Sequence, residues 1–188
     1  MSEPSEHPVD QKPNEPSGLR MLWVYVLEVL ETIAPAFVIA LLINLFLAQS
    51  TYVHGQSMEP NLHTDQRLIV EKVSYRLHPP RRGDIVIVDV DTSSVPLIKR
   101  VVGLPGETIA IRQNQVLING VALEEEYLQD VKQNDYGPAQ VPAGHIFVMG
   151  DNRNASNDSR YFGAVALDRV IGRAWISYWP PEDVGLFW

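Results

Sequence analysis

The chain has 188 residues, enough for one catalytic domain of moderate size once an amino-terminal tail and an anchor are subtracted. Its formal net charge of -8, with acidic residues spread along the chain and no basic run beyond Arg81-Arg82, argues against a nucleic-acid partner. The absence of cysteine excludes disulfides, thiolate zinc sites and a cysteine nucleophile, and five scattered histidines with no His-Glu-x-x-His pair point to no catalytic metal and no cofactor.

Residues 1–18 are rich in Pro, Glu and Ser and have little to bury, so residues 1–20 read as a disordered tail. From Met21 the chain is apolar as far as Ala48, interrupted by Glu28, Glu31, Pro35 and Asn44. A spanning helix needs roughly 20 mostly apolar residues, and a carboxylate at bilayer centre costs about 2.5–3.5 kcal/mol. The expected anchor is therefore residues 21–49, with the span at about 33–48 and both glutamates near the headgroups. A cleavable secretory signal would want a basic n-region, which residues 2–18 do not supply, and a soluble core helix would rarely be this long and apolar so near the amino terminus. Ala48-Gln49-Ser50 has the small-x-small form of a processing site but also suits an ordinary linker. Lys12 and Arg20 on one side and Arg67, Lys72 and Arg76 on the other give no orientation.

Residues 50–188 read as short strands between turn residues, at 67–73, 85–88, 97–102, 108–112, 115–118, 145–149 and 169–178. Asn119-Gly120 is a tight-turn signal, and Gln113-Asn114 joins a hairpin. Residues 124–140 are polar and acidic and read as a surface excursion. The fold expected is mainly β, an antiparallel folded sheet or barrel-like catalytic domain behind one amino-terminal transmembrane helix.

Gly55-Gln56-Ser57-Met58-Glu59-Pro60 places a candidate nucleophile a few residues beyond the anchor. A serine hydroxyl needs a positioned base. Lys99 is a candidate because burial among Leu97, Ile98, Val101 and Val102 would draw its pKa towards neutrality, although a lone lysine on a half-exposed strand would simply snorkel. His54 lies at an odd offset from Ser57 and would project to the opposite face of an extended strand, which disfavours a Ser-His-Asp triad. Glu59 in place of glycine removes an α/β-hydrolase elbow. The polar loop from Gly150 to Arg160 follows an apolar strand; Arg153 at its third place and the missing sixth-place glycine rule out an EF-hand, and its two Asn-x-Ser triplets are frequent accidents of such composition.

Taken together, Ser57-Met58-Glu59-Pro60, Arg82-Gly83-Asp84-Ile85-Val86, the run from Lys99 to Glu107, and the run from Gly150 to Arg160 resemble, in order, the successive blocks of type I signal peptidase. This is the membrane-bound leader peptidase of bacteria and their plastid and mitochondrial descendants. The resemblance implies a serine endopeptidase that removes signal peptides from exported preproteins through an acyl-enzyme. Ser57 would be the nucleophile, Lys99 the general base, and Ser156 the hydroxyl that orients the amine. Asp158 with Arg160 would brace the loop, Asp151 and Arg153 would share that scaffold, and Val53, Met58, Leu62 and Ile98 would line pockets for the small residues at -1 and -3. Some members carry a serine two places before the nucleophile to help bind the oxyanion; here Gly55 stands there, leaving backbone N–H groups for the task. The partners implied are preproteins and the lipid bilayer. The implied location is a bacterial or thylakoid-type membrane, with a single span and an extracytoplasmic catalytic domain, residues 113–145 forming a reduced accessory lobe. A self-cleaving repressor with the same dyad would carry a DNA-binding module in place of residues 21–48, and a non-catalytic anchored module would leave the dyad without a use.

Overall fold

The computed structural model describes residues 18–42, 48–128 and 132–187, so residues 1–17 of the expected tail lie outside it. The chain divides into two compact units, Met1–Leu42 and Ile43–Trp188. In the first, helix α1 (Gly18–Leu42) runs through Pro35 and begins inside the expected tail, so residues 18–20 are helical. Its stretch Met21–Leu42 is long and apolar enough to cross a membrane. The stretch includes Glu28 and Glu31 and overlaps the expected span of 33–48 at residues 33–42; residues 43–47 lie outside the described residues, and Ala48 belongs to a strand. The helix is apolar around most of its circumference, as a lipid-facing helix is and a surface helix of a soluble domain is not.

The second unit is built of antiparallel strands in two sheets. The larger has the order β1 (Ala48–Tyr52), β2 (Arg67–Glu71), β11 (Val170–Trp179), β3 (Ile85–Val88), β4 (Leu97–Gly103), β9 (His145–Met149), β10 (Val165–Ala166), with β12 (Gly185–Leu186) also on β11. The smaller has the order β7 (Val121–Ala122), β6 (Gln115–Ile118), β5 (Thr108–Arg112), β8 (Tyr136–Gln140). Register shifts on both sides of β11 insert extra residues, and such bulges bend a strand and raise its twist, so the large sheet curls.

The apolar run of β3 lies inside its sheet, between β11 and β4, and is buried on both faces because core packs on each: Ile85 and Ile87 join one cluster while Val86 and Val88 join another. In β4 the alternation is the same, with Leu97 and Val101 packed on the second cluster and Ile98 on the first. Beyond Arg100, β4 pairs with β9, but the residues 97–99 have no partner on that side among the described residues. β1 likewise pairs only with β2 and forms the outer edge of its sheet. The 5–6 hairpin closes at Gln113-Asn114, both at positive φ, and Asn119-Gly120 makes a second turn of that kind, as the tight-turn pattern requires. Residues 124–140 are not wholly an excursion, since Tyr136–Gln140 forms β8 on the edge of the smaller sheet.

Val53, Met58 and Leu62, expected as pocket residues, are instead packed into the first cluster at 0–2% exposure. They pack there against Leu68, Val70, Ile85, Ile87 and Ala174, apolar residues of β2, β3 and β11. Leu62→Ala should therefore lower unfolding stability by about 2–5 kcal/mol, the range for emptying a fully buried leucine site. Denaturant titration of the detergent-solubilised chain measures it, and an unchanged midpoint would return Leu62 to the substrate side.

Candidate active site

Ser57 sits in a turn between β1 and β2 that is fixed by local backbone bonds, Glu59 N–H to Gln56 O at 3.2 Å and Asn61 and Leu62 N–H to Met58 O at 3.0 and 2.9 Å. Gly55 enters this turn at φ 78°, in the left-handed region that suits glycine. From the opposite side, β4 delivers Lys99, whose Nζ donates to Ser57 Oγ at 2.8 Å and to its neighbour's carbonyl, Ile98 O, at 3.0 Å. The lysine is 3% exposed, and burial lowers its pKa to about 8 against the opposing pull of the Asp158 and Asp151 carboxylates. An amine drawn down this far has a substantial neutral fraction near neutrality, which is the form able to accept a hydroxyl proton.

The loop after β9 locks the serine turn in place. Asn152 N–H donates to Ser57 O at 3.0 Å. Gly150 passes so close that a Cβ there would collide with Ser57 O and Ser156 Oγ. Asp158, wholly buried, accepts from Gly150 N–H at 3.1 Å and is held by Arg160 through Nε to Oδ1 and Nη2 to Oδ2, both at 2.8 Å. The expected Asp158–Arg160 brace is thus present as a two-pronged ion pair. Asp151 pairs with Arg100 rather than with its loop neighbour, at 2.8 and 2.6 Å. Arg153, 1% exposed at its side chain, pairs with Glu125 and donates to Gly150 O at 3.1 Å. Ser156 does not touch the lysine amine as expected: its hydroxyl is buried and has no hydrogen-bond partner among the described residues.

A serine hydroxyl and a buried amine with a lowered pKa thus lie within hydrogen-bond reach, with a polar loop behind them. A family model described as "Signal peptidase, peptidase S26" matches residues 26–179. The chain belongs to this family. Signal peptidase I of Leptolyngbya laminosa is 40% identical over 199 residues, covering 98% of this chain and 96% of that protein. Signal peptidase I of Bacillus licheniformis is 39% identical over 168 residues, covering 84% and 90%. A crystal structure of a signal peptidase I from Enterococcus faecalis V583 is 37% identical, covering 51% of this chain and 97% of that one, with a TM-score of 0.47.

As an S26 signal peptidase, the chain carries its serine and lysine at one end of an apolar groove of about 360 Å³. Val70, Ile87, Ile98 and Ile171 contribute apolar lining, Thr51, Tyr52 and His54 reach it from the β1 side, and Val95 and Pro96 from the loop before β4. Of the four expected pocket residues, only Ile98 lines it. Val70, Ile87 and Ile171 come from three separate strands, and only the β2–β11–β3 pairing brings them together. No group of three or more potential metal ligands occurs among the described residues.

Two outcomes follow from this geometry. Gly150→Ala should cut cleavage at least about tenfold and destabilise by about 1–3 kcal/mol, since the new methyl must displace the serine carbonyl or the Ser156 hydroxyl; assay and denaturant titration of the same preparation check both. Because Lys99 titrates lower folded than its usual value of 10.5, its charged form opposes folding, fully below about pH 8 and less as pH rises. The stability of Lys99→Met relative to the parent should accordingly exceed its high-pH value by on the order of 3 kcal/mol below pH 8, the excess vanishing above pH 10.5.

Proposed function

We propose that this S26 signal peptidase cleaves preproteins at the membrane surface with Ser57 as nucleophile and Lys99 as general base, and that α1 anchors the site there. The observation that carries the reading is the 2.8 Å contact between Lys99 Nζ and Ser57 Oγ at a buried amine. Neutral Lys99 takes the hydroxyl proton as Ser57 attacks the carbonyl at the carboxyl end of the signal peptide. The charged amine then protonates the leaving nitrogen, an ester to Ser57 remains, and the restored base activates the water that hydrolyses it.

The developing oxyanion has a donor in the Ser57 N–H, which takes part in none of the backbone bonds formed among the described residues. Ser156 has a role consistent with its unspent hydroxyl, buried beside the serine carbonyl and available to meet the amine as Lys99 swings from Ser57 to the leaving group. The groove suits the short apolar side chains at -1 and -3 in size and lining. A catalytic domain on the extracytoplasmic face follows from the same reading, and anchoring raises the local concentration of substrates that are themselves membrane-bound.

Ser57→Ala and Lys99→Ala should each abolish cleavage of a purified preprotein while leaving a folded chain; residual activity in the lysine variant near that of the parent would remove the base. The rate should climb with pH through about 8 as Lys99 loses its proton, and full activity at pH 6 would contradict the assignment. Ser156→Ala removes an unpaired buried hydroxyl, so it should leave stability unchanged or raise it by up to about 1 kcal/mol while slowing cleavage. An unchanged rate would leave Ser156 as packing alone.

A further inference from the structure

One carboxylate joins the segments that carry the serine and the lysine. Asp151 takes both prongs of Arg100, the residue after Lys99 in β4, and also Asn61 Nδ2 at 2.9 Å, from the end of the Ser57 turn. Its side chain is 1% exposed, so the junction is dry on the Asp151 side. What closes it from above is the start of the segment between β7 and β8. The Tyr127 ring lies face-on to the Arg100 guanidinium at 4.0 Å, and Tyr127 O accepts the other bond of Asn61 Nδ2 at 2.9 Å. The Tyr127 hydroxyl donates to Glu125, whose carboxylate holds Arg153 of the Gly150–Arg160 loop.

We propose that Tyr127 is a positioning residue for cleavage: its ring, laid on Arg100, keeps water from the Arg100–Asp151–Asn61 junction and so holds β4 and the Ser57 turn at reacting distance. The proposal rests on the Ser57–Lys99 reading. An ion pair of this kind gains strength and a single geometry only while solvent is kept away, and an aromatic face does that for a guanidinium without drawing its hydrogen bonds from the carboxylate. The residues on either side of the junction are four places after Ser57 and one place after Lys99, so slack at Asp151 passes directly to the reacting atoms. An error of about 1 Å there costs roughly a hundredfold in rate.

The ring, rather than the hydroxyl, is what the proposal needs, and this separates positioning from a general loss of packing. The experiment uses the full chain in detergent with a preprotein substrate, counting active sites with a serine-acylating probe so that misfolded molecules drop out of the rate. Tyr127→Leu should lower kcat per titrated site about tenfold with KM within about twofold, and Tyr127→Phe should stay within about twofold of the parent in both. If the leucine variant does not fold, Tyr127→Met is read by the same criterion. A normal kcat per site in the variant without a ring, a loss confined to KM, or a phenylalanine variant as slow as the leucine one would each overturn the proposal. A parent protein that neither binds the probe nor cleaves would overturn the peptidase reading itself, whereas an active parent beside an unaffected Tyr127→Leu would overturn only the role of Tyr127.

Discussion

Everything in the catalytic unit turns on keeping one amine buried without leaving it permanently charged. Water would restore Lys99 to its ordinary pKa, and two unshielded carboxylates would do the same from inside the protein. The fold leaves Lys99 only 3% exposed, with its amine on the Ser57 hydroxyl. It tempers the carboxylates by giving each a guanidinium, Arg160 to Asp158 and Arg100 to Asp151. The remaining pull of both acids still acts upward on the lysine, yet burial outweighs it. Two carboxylates buried beside a single neutralisable amine are costly unless each is paired, as Asp151 is with Arg100 and Asp158 with Arg160.

Much of the architecture was legible in the sequence because it is local. Period-two alternation in β4, the continuous apolar run of β3 and the two turns at positive φ are properties of neighbouring residues, and each appears where the residues place it. The edge strand β8 was not legible: Tyr136–Gln140 contains glycine, proline and glutamine and is largely exposed, so neither apolar alternation nor propensity marks it, and only pairing with β5 makes it a strand. The amino-terminal apolar helix was legible from its length and composition, and it carries Glu28 and Glu31 inside its apolar stretch.

At the site, the structure brings Ser57 and Lys99, which the motif blocks single out, together from 42 residues apart. Val53, Met58 and Leu62 lie in the core rather than along the groove for a physical reason. Apolar groups next to a nucleophile can point into the groove or down into the core, and at Met58 and Leu62 the core took them. The contributions of Glu125 and Tyr127 were invisible because an acidic stretch reads as a solvated surface until one of its aromatic side chains is seen lying on an arginine. The sequence signal that was available was the pair Tyr127-Leu128 in a mostly polar segment.

The two unpaired strand margins, along β1 and along the start of β4, lie on either side of the groove. Main-chain amides and carbonyls along such margins are the same whatever side chains a visiting chain bears, so an extended polypeptide laid between them would be gripped by its backbone. Discrimination would then fall to the few positions whose side chains must fit the floor. Such a cleft tolerates wide variety in what it holds while remaining strict about bulk at one or two places, a division of labour that chemistry on many unrelated sequences demands.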